Sequence, residues 1–218
     1  MHTVSTRIAE YSLAIDTSAG TSVAVLSMGT VLAEVNYPEP MTHSERIGAA
    51  IEKILEEAGV RPSQISQVVA GVGPGPFTGL RVGLAAAQFF ALGAKADLVA
   101  VCSLDAIALD YFQANPGSKA LLVSTDARRK EVFWASYQGV ANGIPIRVLG
   151  PSVNKPEDLG EFINLEEHSV TDLVVRAASL GQIAFDQSLT ELGANRDISP
   201  IYLREPDAVP TKPKKVSG

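Results

Sequence analysis

The chain has 218 residues, of which 46% are hydrophobic and 19% charged, and its formal net charge is −6. A chain of this length and apolar content can bury a core, so the composition excludes intrinsic disorder. The acidic balance argues against a protein that grips nucleic acid by itself, because such proteins present a basic face to the phosphates.

The N-terminal segment predicts a β-meander. Apolar runs at 11–15 and 22–26 flank the polar stretch 16–21, a pattern that is typical of a hairpin. A third strand is predicted at 31–37, and Pro38 ends it because proline cannot donate to a strand ladder.

A long amphipathic helix is predicted at 42–58. Thr42 and Glu45 have the spacing of a capping box at its start. Gly59 suits a left-handed C-cap, and Pro62 forbids continuation. The apolar side chains recur every three or four positions and form one stripe. They are Ile47, Ala50, Ile51, Ile54, Leu55 and Ala58.

A second helix is predicted at 79–95, after a strand at 67–73 and a Gly-Pro turn, and Thr78 can cap it. The polar side chains of this helix lie seven residues apart on one narrow stripe: Arg81, Gln88 and Lys95. A helix that is apolar nearly all round must be buried nearly all round. One lobe of about 100 residues covers only one side, so we expect a partner to cover the rest.

The second half of the chain repeats the βββα order of the first. We therefore predict an α/β protein with two lobes, 1–104 and 105–218, each a mixed sheet flanked by helices. A flexible tail is expected from about residue 206. The predicted elements are a strand at 97–101, a helix capped by Ser103 and ending near 112, a hairpin of 119–125 and 131–137, a strand at 146–149, a helix at 156–163, a strand at 172–175 and a helix at 178–192.

Two turns are candidate anion or nucleotide sites, and each has a structural alternative. The first is also typical of an ordinary turn whose side chains bond nearby backbone. The second precedes a helix N-terminus, a natural anion site, but lacks the Lys-Ser/Thr pair of a Walker loop. Its glycines could instead let two helices approach along Gly79, Gly83 and Ala87. The candidate residues are Asp16, Thr17 and Ser18 in the first turn and Gly73, Gly75 and Thr78 in the second.

No catalytic or metal site is predicted from the residues themselves. The histidines, His2, His43 and His168, lack the spacing of metal ligands on a helix. Cys102 follows an apolar strand and is expected to be a small buried hydrophobe. The basic runs at 128–130 and 212–215 are typical of a solvated turn and a soluble tail.

We expect a cytoplasmic protein without a membrane segment. The chain has one cysteine, so a disulfide framework is excluded. It contains no run of about 18 apolar residues, which a membrane helix needs. Residues 1–11 include Arg7 and Glu10 but no apolar stretch, so we expect no secretory signal there.

Five stretches together carry a resemblance to one family. The most specific is Gly-Pro-Gly-Pro-Phe-Thr-Gly-Leu-Arg at 73–81, and the others lie at 13–25, 43–46, 126–134 and 200–204. They resemble the TsaB family, also called YeaZ and once grouped with the M22 glycoproteases. The family implies the actin/sugar-kinase/Hsp70 fold.

The resemblance also implies a non-catalytic role. The catalytic relative, TsaD, transfers a threonylcarbamoyl group to N6 of adenosine 37 in ANN-decoding tRNAs. It carries a His-x-x-x-His metal site on a helix that corresponds to 103–108 here. This stretch has no histidine, and Asp105 alone cannot hold a metal that needs at least three protein ligands.

The family further implies that TsaD is the partner, with TsaE in the larger assembly and a second copy of the chain when TsaD is absent. It implies contact with tRNA only through the complex. No obligatory cofactor is expected, and ATP or ADP is expected to be bound mainly by other subunits. The first two helices would form the pairing surface. The interface candidates are His43, Ile47, Ile51, Ile54, Arg81, Gly83, Leu84, Ala87 and Gln88.

Two other interpretations stay open at this point. A small-molecule kinase of the same fold could use Asp16, but the second lobe lacks a recognisable Gly-Gly adenosine motif. A metalloprotease is suggested only by the older family name.

Overall fold

A computed structural model describes residues 9–38, 43–164, 168–170, 174–190 and 193–204. Its first sheet has the strand order β3-β2-β1-β4-β5. The first three strands form the expected antiparallel meander, and β4 and β5 continue in parallel with β1. The strands are β1 (Tyr11–Asp16), β2 (Thr21–Ser27), β3 (Thr30–Tyr37), β4 (Gln67–Gly71) and β5 (Asp97–Val101).

The second sheet has the order β8-β7-β6-β9, in which β6, β7 and β8 are antiparallel and β9 runs parallel to β6. Its strands are β6 (Leu121–Asp126), β7 (Val132–Ala141), β8 (Ile144–Asn154) and β9 (His168–Val170). The helices are α1 (His43–Ala58), α2 (Phe77–Ala94), α3 (Ser103–Ala114) and α4 (Ala177–Ser188).

The first sheet is covered on both faces, as its continuous apolar strands require. Leu13 and Ile15 of β1 point to one face, where they belong to the same core as residues of α1 and α2. Ala14 points to the other face and shares a core with α3, α4 and the second sheet. Helix α4 follows the second sheet in the chain but packs against β1 and β2. The two halves of the chain therefore share a core, and the division at 104/105 stays a prediction.

The first-half elements are confirmed with small shifts in their ends. Helix α1 coincides with the predicted helix, and Gly59 has φ +66° at its end, as a left-handed C-cap requires. Helix α2 begins at Phe77, two residues early, and Thr78 does not cap it, because Pro76 holds the N-cap position without a side-chain bond. Thr42 lies outside the described residues.

The second half departs further from the prediction. The helix expected at 156–163 is a 3₁₀ helix, Pro156–Glu161. Residues 174–176 form no strand, and the strand beside β6 is β9. Residues 171–173, 191–192 and the tail expected from about residue 206 lie outside the described parts of the chain.

Candidate functional site

The first candidate site is a buried polar junction at the carboxyl end of β1. Asp16 is 1% exposed. Its Oδ1 accepts hydrogen bonds from the backbone N–H and the hydroxyl of Ser18, at 2.7 and 2.6 Å, and its Oδ2 accepts one from the Ser103 hydroxyl at 2.5 Å. Ser103 Oγ in turn accepts a bond from the Gly73 N–H at 3.1 Å. Charge-assisted bonds of this kind stabilise a carboxylate away from water.

Thr17 ties the same turn to α2. Its hydroxyl donates to the carbonyl of Gly79 at 2.7 Å and accepts from the N–H of Gly83 at 3.0 Å. A Cβ on Gly83 would lie 2.2 Å from Thr17 Oγ1. The glycine is therefore required for close approach, but between a turn and a helix rather than between two helices.

Two more glycines pack against the junction. A Cβ on Gly71 would lie 1.9 Å from Asp16 Oδ2, and one on Gly75 would lie 2.9 Å from the Ser18 backbone. Side chains at these positions would have to displace the junction, so the glycines of this motif have a structural role.

The structure brings together five of the six candidate anion-binding residues. Asp16, Thr17, Ser18 and Gly73 form hydrogen bonds within the junction, and Gly75 packs against it. Thr78, by contrast, is exposed on the first turn of α2. Nucleotide binding by these residues stays a prediction, and the internal bonds favour the structural alternative.

The second candidate site is the start of α3, where the resemblance implies a metal in the catalytic relative. Ser103 does not cap this helix, since its hydroxyl is bonded to Asp16. Asp105 Oδ1 accepts a hydrogen bond from the Tyr137 hydroxyl at 2.8 Å, and a guanidinium nitrogen of Arg147 lies 3.7 Å away. Burial raises the pKa of the Asp105 carboxyl, and Arg147 opposes that rise.

This set of donors does not fit a metal ion. A protein-bound zinc ion needs at least three protein ligands, and Asp105 is a single carboxylate that already pairs with Tyr137 and Arg147. In the part of the chain that the structure describes, no three His, Cys, Asp or Glu side chains form a group that could hold a metal. The side chains of the three histidines lie outside that part.

The third candidate site is the surface formed by α1 and α2. A groove of about 590 Å³ runs between them and is lined by apolar residues such as Ile51, Leu55 and Phe90, with Glu52 and Arg61 at its rim. Beside it lies the outer face of α2, which we define as Arg81, Ala85, Gln88, Phe89 and Leu92. Phe89 is 72% exposed and Leu92 is 75% exposed.

Five of the nine predicted interface residues are buried within the chain, and the interface itself stays a prediction. Ile47, Ile54, Leu84 and Ala87 lie in the core of the first lobe, and Gly83 is buried against Thr17. These five residues are therefore covered by other parts of the same chain in this fold. Arg81 and Gln88 are exposed, Ile51 is half-buried, and the side chain of His43 lies outside the described residues.

The sequence also contained a signal for the exposed apolar residues of α2, which the prediction did not include. Arg81, Gln88 and Lys95 mark the exposed stripe of α2, and Leu92 lies four residues after Gln88 on the same stripe. Phe89 is its neighbour. The prediction followed the small residues Gly83 and Ala87, of which Gly83 faces the junction and Ala87 lies in the core.

Helix α2 also has the length and mean hydropathy, 1.3 over 18 residues, of a membrane span. It packs against β4 of the first sheet. Because core helices of folded lobes pass the same test, this is weak evidence and no membrane assignment follows from it.

Comparisons with known proteins point to one family. A family model described as "TsaD: tRNA N6-adenosine threonylcarbamoyltransferase" matches residues 35–199. The TsaB protein of Escherichia coli is 39% identical over 150 residues, which cover 68% of this chain and 64% of that protein. The TsaB protein of Bacillus subtilis is 30% identical over 217 residues, covering 89% and 92%.

The fold agrees with these matches. The solved structure of YeaZ from Pseudomonas aeruginosa superposes with a TM-score of 0.76 at 25% identity, over 89% of this chain and 100% of that one. This similarity confirms the predicted class: an α/β protein of the actin/sugar-kinase/Hsp70 type, with helices flanking each mixed sheet.

Proposed function

The chain belongs to the TsaB family of tRNA threonylcarbamoyladenosine biosynthesis proteins, and we propose that it acts there as a non-catalytic subunit that pairs with a TsaD-type threonylcarbamoyltransferase. The observation that carries the proposal is the outer face of α2 beside the α1–α2 groove. Contiguous exposed apolar surface of this kind marks interaction sites in soluble proteins.

The pairing surface combines apolar anchors with a polar rim. Phe89 and Leu92 project from α2, and the groove beside them continues along Ile51 and Phe90. Burying one exposed Phe or Leu side chain contributes about 1.5–3 kcal/mol. A partner helix laid along the groove would bury both, with Arg81 and Gln88 at the edge of the contact.

The non-catalytic part of the proposal rests on the start of α3. Asp105 is held by Tyr137 and Arg147, and the position offers no further metal ligand within the described residues. The closed polar junction around Asp16 supports the same view, because its hydrogen-bonding groups are directed at the protein itself.

The remaining parts of the assembly follow from the family. We propose that two copies of the chain pair with each other when the transferase is absent, and that TsaE joins the larger complex. Transfer RNA is met in that complex, in the cytoplasm. No cofactor is obligatory for this chain, and ATP or ADP is bound mainly by the other subunits.

The pairing surface is tested by Leu92→Asp, with Leu189→Asp as the matched control. Leu189 is 57% exposed and lies just beyond α4, away from α1 and α2. An aspartate at Leu92 would place an unpaired charge in the contact, so association with the transferase should weaken by about 30-fold or more. Titration of the labelled transferase measures this, and circular dichroism verifies that both variants are folded.

The two variants separate the possible outcomes. We expect Leu189→Asp to bind the transferase as the wild type does. If Leu92→Asp also binds normally while folded, the pairing surface lies elsewhere on the chain.

The non-catalytic role is tested by reconstitution. The purified chain, given tRNA, threonylcarbamoyl-adenylate and metal, should not modify adenosine 37, and addition of the transferase should start the reaction. Turnover by the chain alone would refute the proposal. Calorimetry should show ATP binding by the chain no tighter than about 100 μM, and low-micromolar binding would favour the kinase alternative.

A further inference from the structure

A second pocket lies where three separate stretches of the chain meet. This cleft pocket has a volume of about 220 Å³ and is lined by residues 75–77 at the start of α2, 127–129 in the turn between β6 and β7, Phe133, and 202–204 near the end of the described chain. All three stretches belong to motifs that carry the family resemblance, and Arg81 is the one residue of these motifs that the pairing surface also uses. Their convergence on one pocket calls for a separate explanation.

One wall of the cleft pocket is aromatic. The rings of Phe77 and Tyr202 lie 4.9 Å apart between centroids. The guanidinium of Arg81 stacks 3.6 Å from the centroid of the Phe77 ring, and its Nε donates to the Tyr202 hydroxyl at 3.2 Å. These contacts hold the two rings in a fixed position at the pocket, as a stacking platform requires.

The opposite wall is a basic turn in a costly backbone conformation. Arg128, Arg129 and Lys130 have φ of +62°, +55° and +60°, a left-handed region that costs a residue with a side chain about 1–2 kcal/mol. All three are exposed. Glycine or asparagine would form such a turn more cheaply. The turn instead presents three basic side chains, of which Arg128 also pairs with Asp126 at 3.2 Å.

Arg204 fixes this turn in place. Its guanidinium donates to the Ala127 carbonyl at 2.8 Å and forms an ion pair with Glu131. The Ala127 N–H also donates to the Glu131 carbonyl at 3.0 Å. The basic side chains therefore project from a tied hairpin tip rather than from a loose loop.

The local charge is opposite to that of the whole chain. The segments 75–81, 126–131 and 202–204 carry five cationic side chains against two carboxylates, while the net charge of the chain is −6. Guanidinium groups bind phosphate oxygens with paired donors, and aromatic rings stack on unpaired bases. Together they are the chemistry that recognises a nucleotide residue of single-stranded or looped RNA.

We propose that the cleft pocket is a tRNA contact of the assembled complex, in which Arg128, Arg129 and Lys130 meet backbone phosphates and the Phe77–Tyr202 wall meets a base or ribose. This inference rests on the proposed function, which brings tRNA to the complex. What it adds to the proposed function is the place on this chain that contacts the tRNA. The acidic remainder of the chain explains why the contact works only alongside a partner that also holds the RNA.

The test uses Arg129→Glu in the complex with the transferase, and Arg196→Glu as the control. Arg196 is an exposed arginine paired with Asp97 at the start of β5, the opposite end of the first sheet from the pocket. Binding of an unmodified ANN-decoding tRNA transcript is measured by fluorescence anisotropy over a range of salt concentrations. We expect Arg129→Glu to weaken binding by roughly 5- to 20-fold and to lower the salt slope by about 1. Arg196→Glu should change neither quantity.

The outcomes are distinct from those of the proposed function. Failure of the wild-type chain to form the complex contradicts the proposed function. A complex that forms and binds tRNA equally well with either variant overturns the tRNA contact alone. A further arm titrates ADP into the chain: if Arg129→Glu abolishes ADP binding but leaves tRNA binding unchanged, the pocket serves a free nucleotide and the tRNA assignment is wrong.

Discussion

The contact between Thr17 and Gly83 gives a sharp test of the structural interpretation of the polar junction. Gly83 and Gly93 both lie in α2, but they meet different surroundings. A Cβ on Gly83 would lie 2.2 Å from Thr17 Oγ1, whereas a Cβ on Gly93 would meet no atom within 4 Å. Replacing each glycine by alanine makes the same chemical change in the same helix. The difference in unfolding free energy between the two variants therefore reports the effect of the contact with the junction.

The expected free-energy changes have opposite signs. Alanine is favoured over glycine in a helix interior by about 0.5–1 kcal/mol, and Gly93→Ala, in the last turn of α2, should gain up to this amount. At Gly83 the added methyl must displace Thr17, and overpacking costs about 1–3 kcal/mol. Disrupting the buried bonds of the Thr17 hydroxyl costs about 1–3 kcal/mol more. We therefore expect Gly83→Ala to lower the free energy of unfolding by about 1–5 kcal/mol.

Urea unfolding followed by circular dichroism measures both variants. A double-mutant cycle with Thr17→Ala then identifies the cause, because removing the hydroxyl also removes the clash. The double variant should be more stable than the sum of the single changes predicts, by about 1 kcal/mol or more. The close contact does not explain the glycine if Gly83→Ala is as stable as Gly93→Ala. The same conclusion follows if the stability changes of Thr17→Ala and Gly83→Ala are additive.

Two further predictions concern the buried groups at the start of α3. Burial raises the pKa of Asp105 in the folded chain above its pKa in the unfolded chain. At a pH between these two pKa values the folded chain holds a proton that the unfolded chain has lost. The free energy of unfolding therefore falls as pH rises from the lower pKa to the higher one. Asp105→Asn should flatten this fall in urea unfolding across the acidic range, while an unchanged pH profile would contradict the sign. Burial, and next the charge of Asp105, raises the pKa of the Cys102 thiol to about 12, so the native chain should resist iodoacetamide until urea unfolds it. Mass spectrometry reads this directly, since the chain has one cysteine, and rapid labelling of the native chain would show the thiol to be accessible.

Hydrophobic periodicity was sufficient to predict an element that packs one face against a single sheet or pairs with the next strand in the chain. Helix α1 packs its apolar stripe on the first sheet, and its C-terminal end follows from Gly59 and Pro62, so the sequence predicts it almost to the residue. The alternating and continuous apolar runs of the first meander are equally direct, since each strand pairs with the next one in the chain.

Helix-capping rules, which use only neighbouring residues, failed where the capping side chain is hydrogen-bonded to a residue far away in the chain. Ser103 has the right type and position for a helix cap, but its hydroxyl donates to Asp16, which lies 87 positions earlier in the chain. No spacing within the segment around Ser103 reveals this competition. Thr78 fails as a cap for a different reason: α2 begins two residues earlier than predicted, with Pro76 at the N-cap position.

The same limit applies to the candidate sites. The cleft pocket is built from stretches near residues 76, 128 and 203, and nothing in any one stretch shows that it meets the others. The motifs could be recognised separately, as a Gly-Pro turn, a basic run and a closing segment. Their joint chemistry becomes visible only when the fold places them around one space.

The polar junction and the pairing surface are connected through the rotation of α2. The bonds from Thr17 fix which side of the helix faces the sheet, with Gly83 at the point of contact. Leu92 follows Gly83 by nine residues, which at 3.6 residues per turn is about 180° around the helix axis. The contact that closes the junction therefore turns Leu92 directly outward. A turn motif that could hold a ligand in another protein here orients the helix that carries the proposed pairing surface. If pairing occurs there, the glycines of the motif bear on it through the orientation of α2.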